Sequence, residues 1–263
     1  MGAFLKYSGF SQFINDIALT LVGQTPGGPA KVAVVASGLF GSISGSAVAN
    51  VVGTGTFTIP LMKKGGYKSH FAGAVEAVAS CGGQFMPPIM GAAAFMIATN
   101  CDVAYGIVAV SALVPALLYY FYLFICLDAE AKKNGLKGLE ASELPSIKTA
   151  LKKRGHMLIP LVVLIFLLVS GYSPGKSVFW SIILLIATAA IKKDTRMGWK
   201  SIVHAIQNGV YSAAAVAIAC ACAGIISGVI SLTGLGLRFS SILIQLSGGN
   251  LLVMLLLTML AAI

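Results

Sequence analysis

Charge is scarce in this chain, and acid scarcest. Asp and Glu number eight against eighteen Lys and Arg, and all charged residues together fill only 10% of 263 positions. With 57% hydrophobic residues and a mean hydropathy of +0.92, too few polar side chains remain to cover a folded surface in water, which excludes a soluble globular domain. Histidine occurs three times (His70, His156, His204), each at the end of an apolar run, so no serine, histidine and acid set is placed for nucleophilic catalysis. Gly53-Thr-Gly55 lacks the third glycine of a dinucleotide loop, and no phosphate-loop lysine motif exists. The five cysteines (Cys81, Cys101, Cys126, Cys220, Cys222) lack the histidines or second cysteine pair of a zinc site and read as small core hydrophobes. Met1 is followed by an apolar stretch with no basic leader region or cleavage site, so no cleavable signal is expected. Nothing supports an enzyme, and no organic cofactor is expected.

What the chain does contain is long apolar runs parted by short basic loops. The net charge of +10 lies in those loops, where it sets membrane orientation, so nucleic acid is not expected as a partner; membrane lipid is. Phe4 to Val22 reads as a first span interrupted by Lys6, Asn15 and Asp16, and GQTPGGPA over 23–30 as a turn cluster. Further runs cover 71–98, 103–127, 157–171, 177–191 and 202–232, with a mixed-charge, partly helical loop over 128–155 and a basic loop over 192–200. The expected fold is an all-α polytopic membrane protein, a single transmembrane domain over 1–263 with about seven membrane helices and one re-entrant hairpin.

The hairpin is residues 31–62. Its arms, Lys31 to Phe40 and Val51 to Met62, fall short of the roughly 20 apolar residues that cross a bilayer core. Between them lies the tip Gly41-Ser-Ile-Ser-Gly-Ser-Ala-Val-Ala-Asn50. Hydroxyls at Ser42, Ser44 and Ser46, the Asn50 amide and carbonyls turned inward at glycines outline a sodium site built from uncharged oxygens. Alternatively, Gly41-x-x-x-Gly45 is a helix-packing motif whose serines bond their own backbone. A second interruption, Ser80 to Pro88 (SCGGQFMPP), makes 71–98 a discontinuous helix, because two glycines and two prolines cannot continue one cheaply. Its opened ends could present carbonyls to a cation or amides to an anion, or the segment is a plain proline kink. Glu76, one turn earlier, is either a functional acid inside a span or the partner of Lys63, Lys64 or Lys68. Asp16 and Asn208 are weaker candidates of the same kind.

Basic residues sort by side. A hairpin that enters and leaves on one face puts fifteen Lys and Arg on that face, from Lys31 to Lys200 and including the 128–155 loop, against Lys6, Lys176 and Arg238 opposite. The fifteen are expected to be cytoplasmic. The tail echoes the start: Phe239–Leu246, Gly248-Gly249-Asn250 and the arm 251–263 parallel Phe10–Val22, Gly27-Gly28 and the first hairpin arm. An offset of 221 sets Ser42 against residue 263. Inverted repeats with the site at their interface are a transporter plan, so 239–263 is expected to begin a second hairpin repeat that is truncated here.

Three stretches, FGSISGSAVANVVGTGTFTIPLMKKGGY, FAGAVEAVASCGGQFMPPIMGAAAFMIA and PALLYYFYLFICLDAEAKKNGLKGL, resemble the large membrane subunit of tripartite ATP-independent periplasmic (TRAP) transporters, closest to fused permeases that work with TAXI-type binding proteins. The resemblance covers essentially the whole chain. It implies an inner-membrane, elevator-type importer driven by a sodium gradient, taking small organic anions such as carboxylates from an extracytoplasmic solute-binding protein. It places one sodium ion among Ser42, Ser44, Ser46, Asn50, Gly82 and Gly83, and substrate near Thr54, Thr56, Gln84, Pro87 and Pro88. Family permeases continue into a second hairpin, so a fragment is expected, and a transport-inactive remnant or assembly scaffold is the alternative function.

Overall fold

A computed structural model describes residues 2–140, 144–192 and 195–261, and all regular structure in them is helical. The chain divides into two compact units, Met1–Tyr211 and Ser212–Ile263. Lys193, one of the fifteen sorted basic residues, and residue 263, the expected second tip, lie outside the described residues.

In the first unit, α1 (Gly2–Tyr7) and α2 (Phe10–Val22) meet at Gly9, whose φ of 78° is open to glycine at little cost. The expected first span is therefore two helices. Apolar residues at helical spacing in α2, Phe10, Phe13, Ile14 and Ala18, form a buried face. α3 (Gly28–Ser44) starts after Gly27 with Pro29 in its first turn, where the missing N–H is no loss. Fourteen of its seventeen residues are buried, so α3 is the central element. Phe10, Phe13, Val32, Ala36 and Phe40 form one core cluster with Met157 and Leu185; Ala30, Val34, Ala72, Ala79, Tyr120 and Leu127 form another.

α4 (Ala47–Lys64) returns along α3. The arms are longer than the sequence reading gave them and the tip shorter: helix persists through Ser44, resumes at Ala47, and only Gly45 and Ser46 turn. Serine and glycine in the tip did not stop the helix because packing on neighbouring helices outweighs their weak propensity. At 17 and 18 residues the arms rise roughly 25 to 27 Å, still under a hydrocarbon core of about 30 Å.

α5 (Ser69–Gly82) and α6 (Ala92–Asn100) are the two parts of the discontinuous helix. The break runs over 83–91, three residues later than the sequence placed it, since Ser80, Cys81 and Gly82 still complete the last turn. α7 (Tyr105–Lys133) runs past the apolar stretch into the polar loop, and α8 (Ile147–Arg154) accounts for the loop's helical part. After a 3-10 turn at Gly155–Leu158, α9 (Ile159–Val169) and α10 (Pro174–Ala190) pack together, and α11 (Trp199–Thr233) begins. In the second unit the rest of α11 is followed by α12 (Leu235–Ser247) and α13 (Leu251–Ala261), which pack on one another around Gly248 and Gly249, both at positive φ. α12 has the thirteen residues of α2, and each follows a left-handed glycine, Gly234 and Gly9.

Among the described residues, α7 alone is long and apolar enough to cross a membrane by itself. The stretches Cys220–Thr233 and Arg238–Ser247, bent by 75°, meet the same measure together. One face of α7 exposes Ile107, Val110, Val114, Leu118, Phe121 and Ile125, a continuous apolar stripe that water would not tolerate. The cysteines are not the core residues that were expected: four are exposed, Cys220 is half-buried and none of the five is in a disulfide. They sit among outward apolar side chains, where a thiol packs as a small hydrophobe without entering the core.

Candidate functional site

Two elements meet at the tip. Gly45 leaves α3 at φ 66°, and a Cβ there would collide with the Met90 carbonyl in the break. Gly41 and Gly83 touch so closely that a Cβ on Gly41 would stand 2.7 Å from the Gly83 Cα and 2.7 Å from Asn50 Nδ2. The Ile89 N–H donates to the Ser42 carbonyl at 3.0 Å. The hairpin tip and the helix break, distant in the chain, thus form one structure, and glycine allows it because only a bare Cα permits that approach.

Of the expected ion ligands, Asn50 is fully buried: its Nδ2 donates to the Ser37 carbonyl at 2.8 Å and its Oδ1 accepts from Thr54 at 3.2 Å. Ser42 donates to the Leu39 carbonyl of its own helix at 2.9 Å. Ser46 caps α4, accepting from the Ala49 N–H at 3.3 Å. Ser44 Oγ is buried without a hydrogen-bond partner. Gly82 and Gly83 are buried at the end of α5. Both readings of the tip therefore have geometry behind them: Gly41 and Gly45 pack as a small-residue motif, and Asn50 and Ser44 bring polar atoms into the same packed region.

The expected substrate residues separate. Thr54 is fully buried beside Asn50, whereas Thr56 is exposed, two residues on and so on the opposite side of α4. In the break Gln84 is exposed and Pro87 and Pro88 are half-buried, with the Tyr105 hydroxyl donating to the Pro88 carbonyl at 3.3 Å and also to that of Ile89.

Glu76 makes none of the lysine pairs considered for it. Lys63, Lys64 and Lys68 are exposed, while Glu76 is fully buried and surrounded by hydroxyls. Oε1 accepts from Thr54 at 2.6 Å, Ser37 at 3.0 Å and Ser80 at 3.4 Å; Oε2 accepts from Thr58 at 2.5 Å. Ser37 comes from α3, Thr54 and Thr58 from α4, Glu76 and Ser80 from α5, so one carboxyl group joins both hairpin arms to the broken helix. Gly55 opens the space, since a Cβ there would meet the Glu76 side chain at 3.0 Å. Ser37, Thr58 and Ser80 were not singled out from the sequence. A signal existed in the spacing: Thr54 with Thr58, and Glu76 with Ser80, are each four apart and so share one helix face.

The opposite end of the hairpin joins the polar loop. Lys31, buried at the start of α3, pairs with Asp128 at 2.6 Å, and Lys132 pairs with the same carboxylate at 2.7 Å. The Leu139 N–H donates to the Gly23 carbonyl at 2.8 Å. Asp16 pairs with Arg154 at 3.7 Å, and Asn208 donates to the Tyr7 hydroxyl at 2.6 Å, so these two weaker candidates serve helix packing. The hairpin entry and the polar loop over 128–155 thus lie at one end of the unit.

A family model described as "Tripartite ATP-independent periplasmic transporter, DctM component" matches residues 1–263. Among curated proteins, the chain is 34% identical over 164 residues to the C4-dicarboxylate TRAP transporter large permease protein DctM of Vibrio cholerae, covering 62% of this chain and 35% of that one. It is 27% identical over 176 residues to the sialic acid TRAP transporter large permease protein SiaM of Vibrio cholerae, covering 66% and 40%. It is 28% identical over 165 residues to the isethionate TRAP transporter permease protein DctMQ of Oleidesulfovibrio alaskensis, covering 62% and 26%. In each case the match spans less than half of the relative's own length.

Proposed function

Because the chain belongs to the DctM-component family of tripartite ATP-independent periplasmic transporters, we propose that it is part of the permease of a secondary importer of small organic anions. An extracytoplasmic solute-binding protein of the TAXI type delivers the substrate. The chain sits in the inner membrane with about seven membrane helices, α3 and α4 as a re-entrant hairpin, and the basic loops inside the cell. The named substrates of the three relatives are all small organic anions, which supports that substrate class.

The observation that carries the reading is the docking of the hairpin tip on the helix break at Gly41 and Gly83. Irregular backbone at membrane depth is tolerated only where protein or a wet cavity surrounds it, and two such segments meeting is how transporters build a site. The donor chemistry fits a sodium ion. Asn50 Oδ1, the unpartnered Ser44 hydroxyl and carbonyls at the ends of α3 and α5 are uncharged oxygens, and α3 and α5 turn carbonyl ends toward the junction. Ser42, Ser46, Gly82 and Gly83 contribute through backbone, and Thr54, Gln84, Pro87 and Pro88 lie on the substrate side. Substrate and ion then bind to one rigid body that moves as an elevator.

The test is uptake by the full-length permease in proteoliposomes, with its binding protein and candidate organic anions. Uptake that requires an inward sodium gradient and is lost in Asn50→Ala is expected. A folded, correctly inserted wild type that takes up none of these anions under a sodium gradient overturns the reading in favour of a scaffold.

A further inference from the structure

Among the described residues Glu76 is the only buried acid, and none of their ion pairs includes it. The charged and titratable groups of every helix packed around it are engaged or distant. In α2, Asp16 holds Arg154. In α3, Lys31 holds Asp128, and in α4, Lys63 and Lys64 are exposed in the last turn. In α5, His70 and Cys81 are exposed. In α7, Tyr119 and Tyr120 donate to the Val78 and Ala79 carbonyls at 2.8 and 3.0 Å, Cys126 is exposed, and Asp128 is shared by two lysines. A carboxyl group kept from water without a cation has only the four hydroxyls to answer it.

Hydrogen counting shows what those hydroxyls permit. Each carries one hydrogen and can accept as well as donate. With Glu76 ionised, Ser37, Thr54, Thr58 and Ser80 all donate inward. With a proton on Oε2, the new O–H donates to Thr58 Oγ1, and Thr58 turns its own hydrogen to the Thr54 carbonyl 3.1 Å away. Thr54 has the same choice, between Glu76 and the Asn50 carbonyl at 2.9 Å. Every carboxyl oxygen and hydroxyl has a partner in both states, and apart from the proton itself the change needs only the rotation of hydroxyls. An ion pair with lysine would instead lock the charged state.

We propose that Glu76 is a proton-binding site at the junction of the hairpin and the broken helix. The carboxylate takes one proton from hydronium on one side of the membrane, the hydronium O–H bond breaking to leave water as the Oε2–H bond forms, and gives it back to a water molecule on the other side, which becomes hydronium, so that a proton travels with the moving element. This rests on the permease reading for its role, though not for its chemistry.

The experiment is infrared difference spectroscopy of the purified full-length permease in nanodiscs through a pH titration, which reads the protonated carboxyl C=O stretch without any transport. A titrating band that Glu76→Gln removes is expected. Identical difference spectra for wild type and E76Q overturn the proposal. If E76Q does not fold, Thr58→Val replaces it: that variant removes the acceptor of the carboxyl O–H and shifts the band, and an unshifted band overturns the proposal equally. In proteoliposomes, uptake stimulated by an inward proton gradient is expected in the wild type and lost in E76Q, and equal stimulation in both overturns the coupling. A titrating Glu76 band in a protein that takes up no organic anion supports the proton site and removes the transport reading.

Discussion

Thr56 and Thr58 stand two residues apart on α4 and have opposite environments. Thr58 is fully buried with its hydroxyl 2.5 Å from Glu76 Oε2, while Thr56 is exposed. Removing a hydrogen bond to a buried carboxyl group leaves an oxygen unanswered, a cost of about 1–3 kcal/mol. Valine keeps the shape and deletes the hydroxyl. Thr58→Val is therefore expected to lower stability by about that amount in thermal unfolding of the purified permease, and Thr56→Val to stay within about 0.5 kcal/mol. Equal effects would show that α4 is rotated from the orientation described. Hydropathy could not separate these residues, because both are threonines in one apolar run; the direction of α4's inner face decides.

At the scale of elements, α3 is held at both ends. Its C-terminal end docks on the break through Gly41 and Gly83, and its N-terminal end is tied to α7 by Lys31 and Asp128. The Lys31 side chain is 8% exposed, so removal of its partner leaves a charge that water cannot reach. Asp128→Asn is expected to lower the melting temperature of the detergent-solubilised protein. Combining it with Lys31→Met is expected to recover most of the loss, because the buried charge is gone. Failure of the double variant to recover would place the pair elsewhere than at the α3–α7 contact. The discontinuous helix was legible from SCGGQFMPP, since prolines and glycines act locally. The tight two-residue tip was not, since GSISGSAVAN carries weak helix formers that only tertiary packing holds in helix.

At the scale of the whole molecule, the hairpin entry and the polar loop share one end, joined by the Lys31–Asp128 pair and the Leu139 to Gly23 bond. This supports putting their lysines on one side of the membrane. With native cysteines replaced, Lys137→Cys is expected to react with an impermeant maleimide only in inside-out vesicles, and Lys176→Cys only in right-side-out ones. Both lysines are exposed, so burial cannot mask the result. Labelling of both from one side would break the parity on which the proposal of a re-entrant α3 and α4 rests.

Sequence alone determined the membrane environment, the all-helical class, the hairpin, the broken helix and the family resemblance. Each of these depends on local quantities: hydropathy over some twenty residues, glycine and proline as helix interrupters, basic residues in short loops. Tertiary structure decided which polar atoms share a site. Glu76 stood in the sequence beside a basic loop, and its lysine neighbours were the nearest charges along the chain. Folding set it instead against hydroxyls 39, 22 and 18 residues away, from two other helices. The reason is physical. A buried carboxyl group needs donors on every side, and which donors arrive depends on how three helix faces are turned toward one another, information carried by packing across the whole unit rather than by any single stretch of chain.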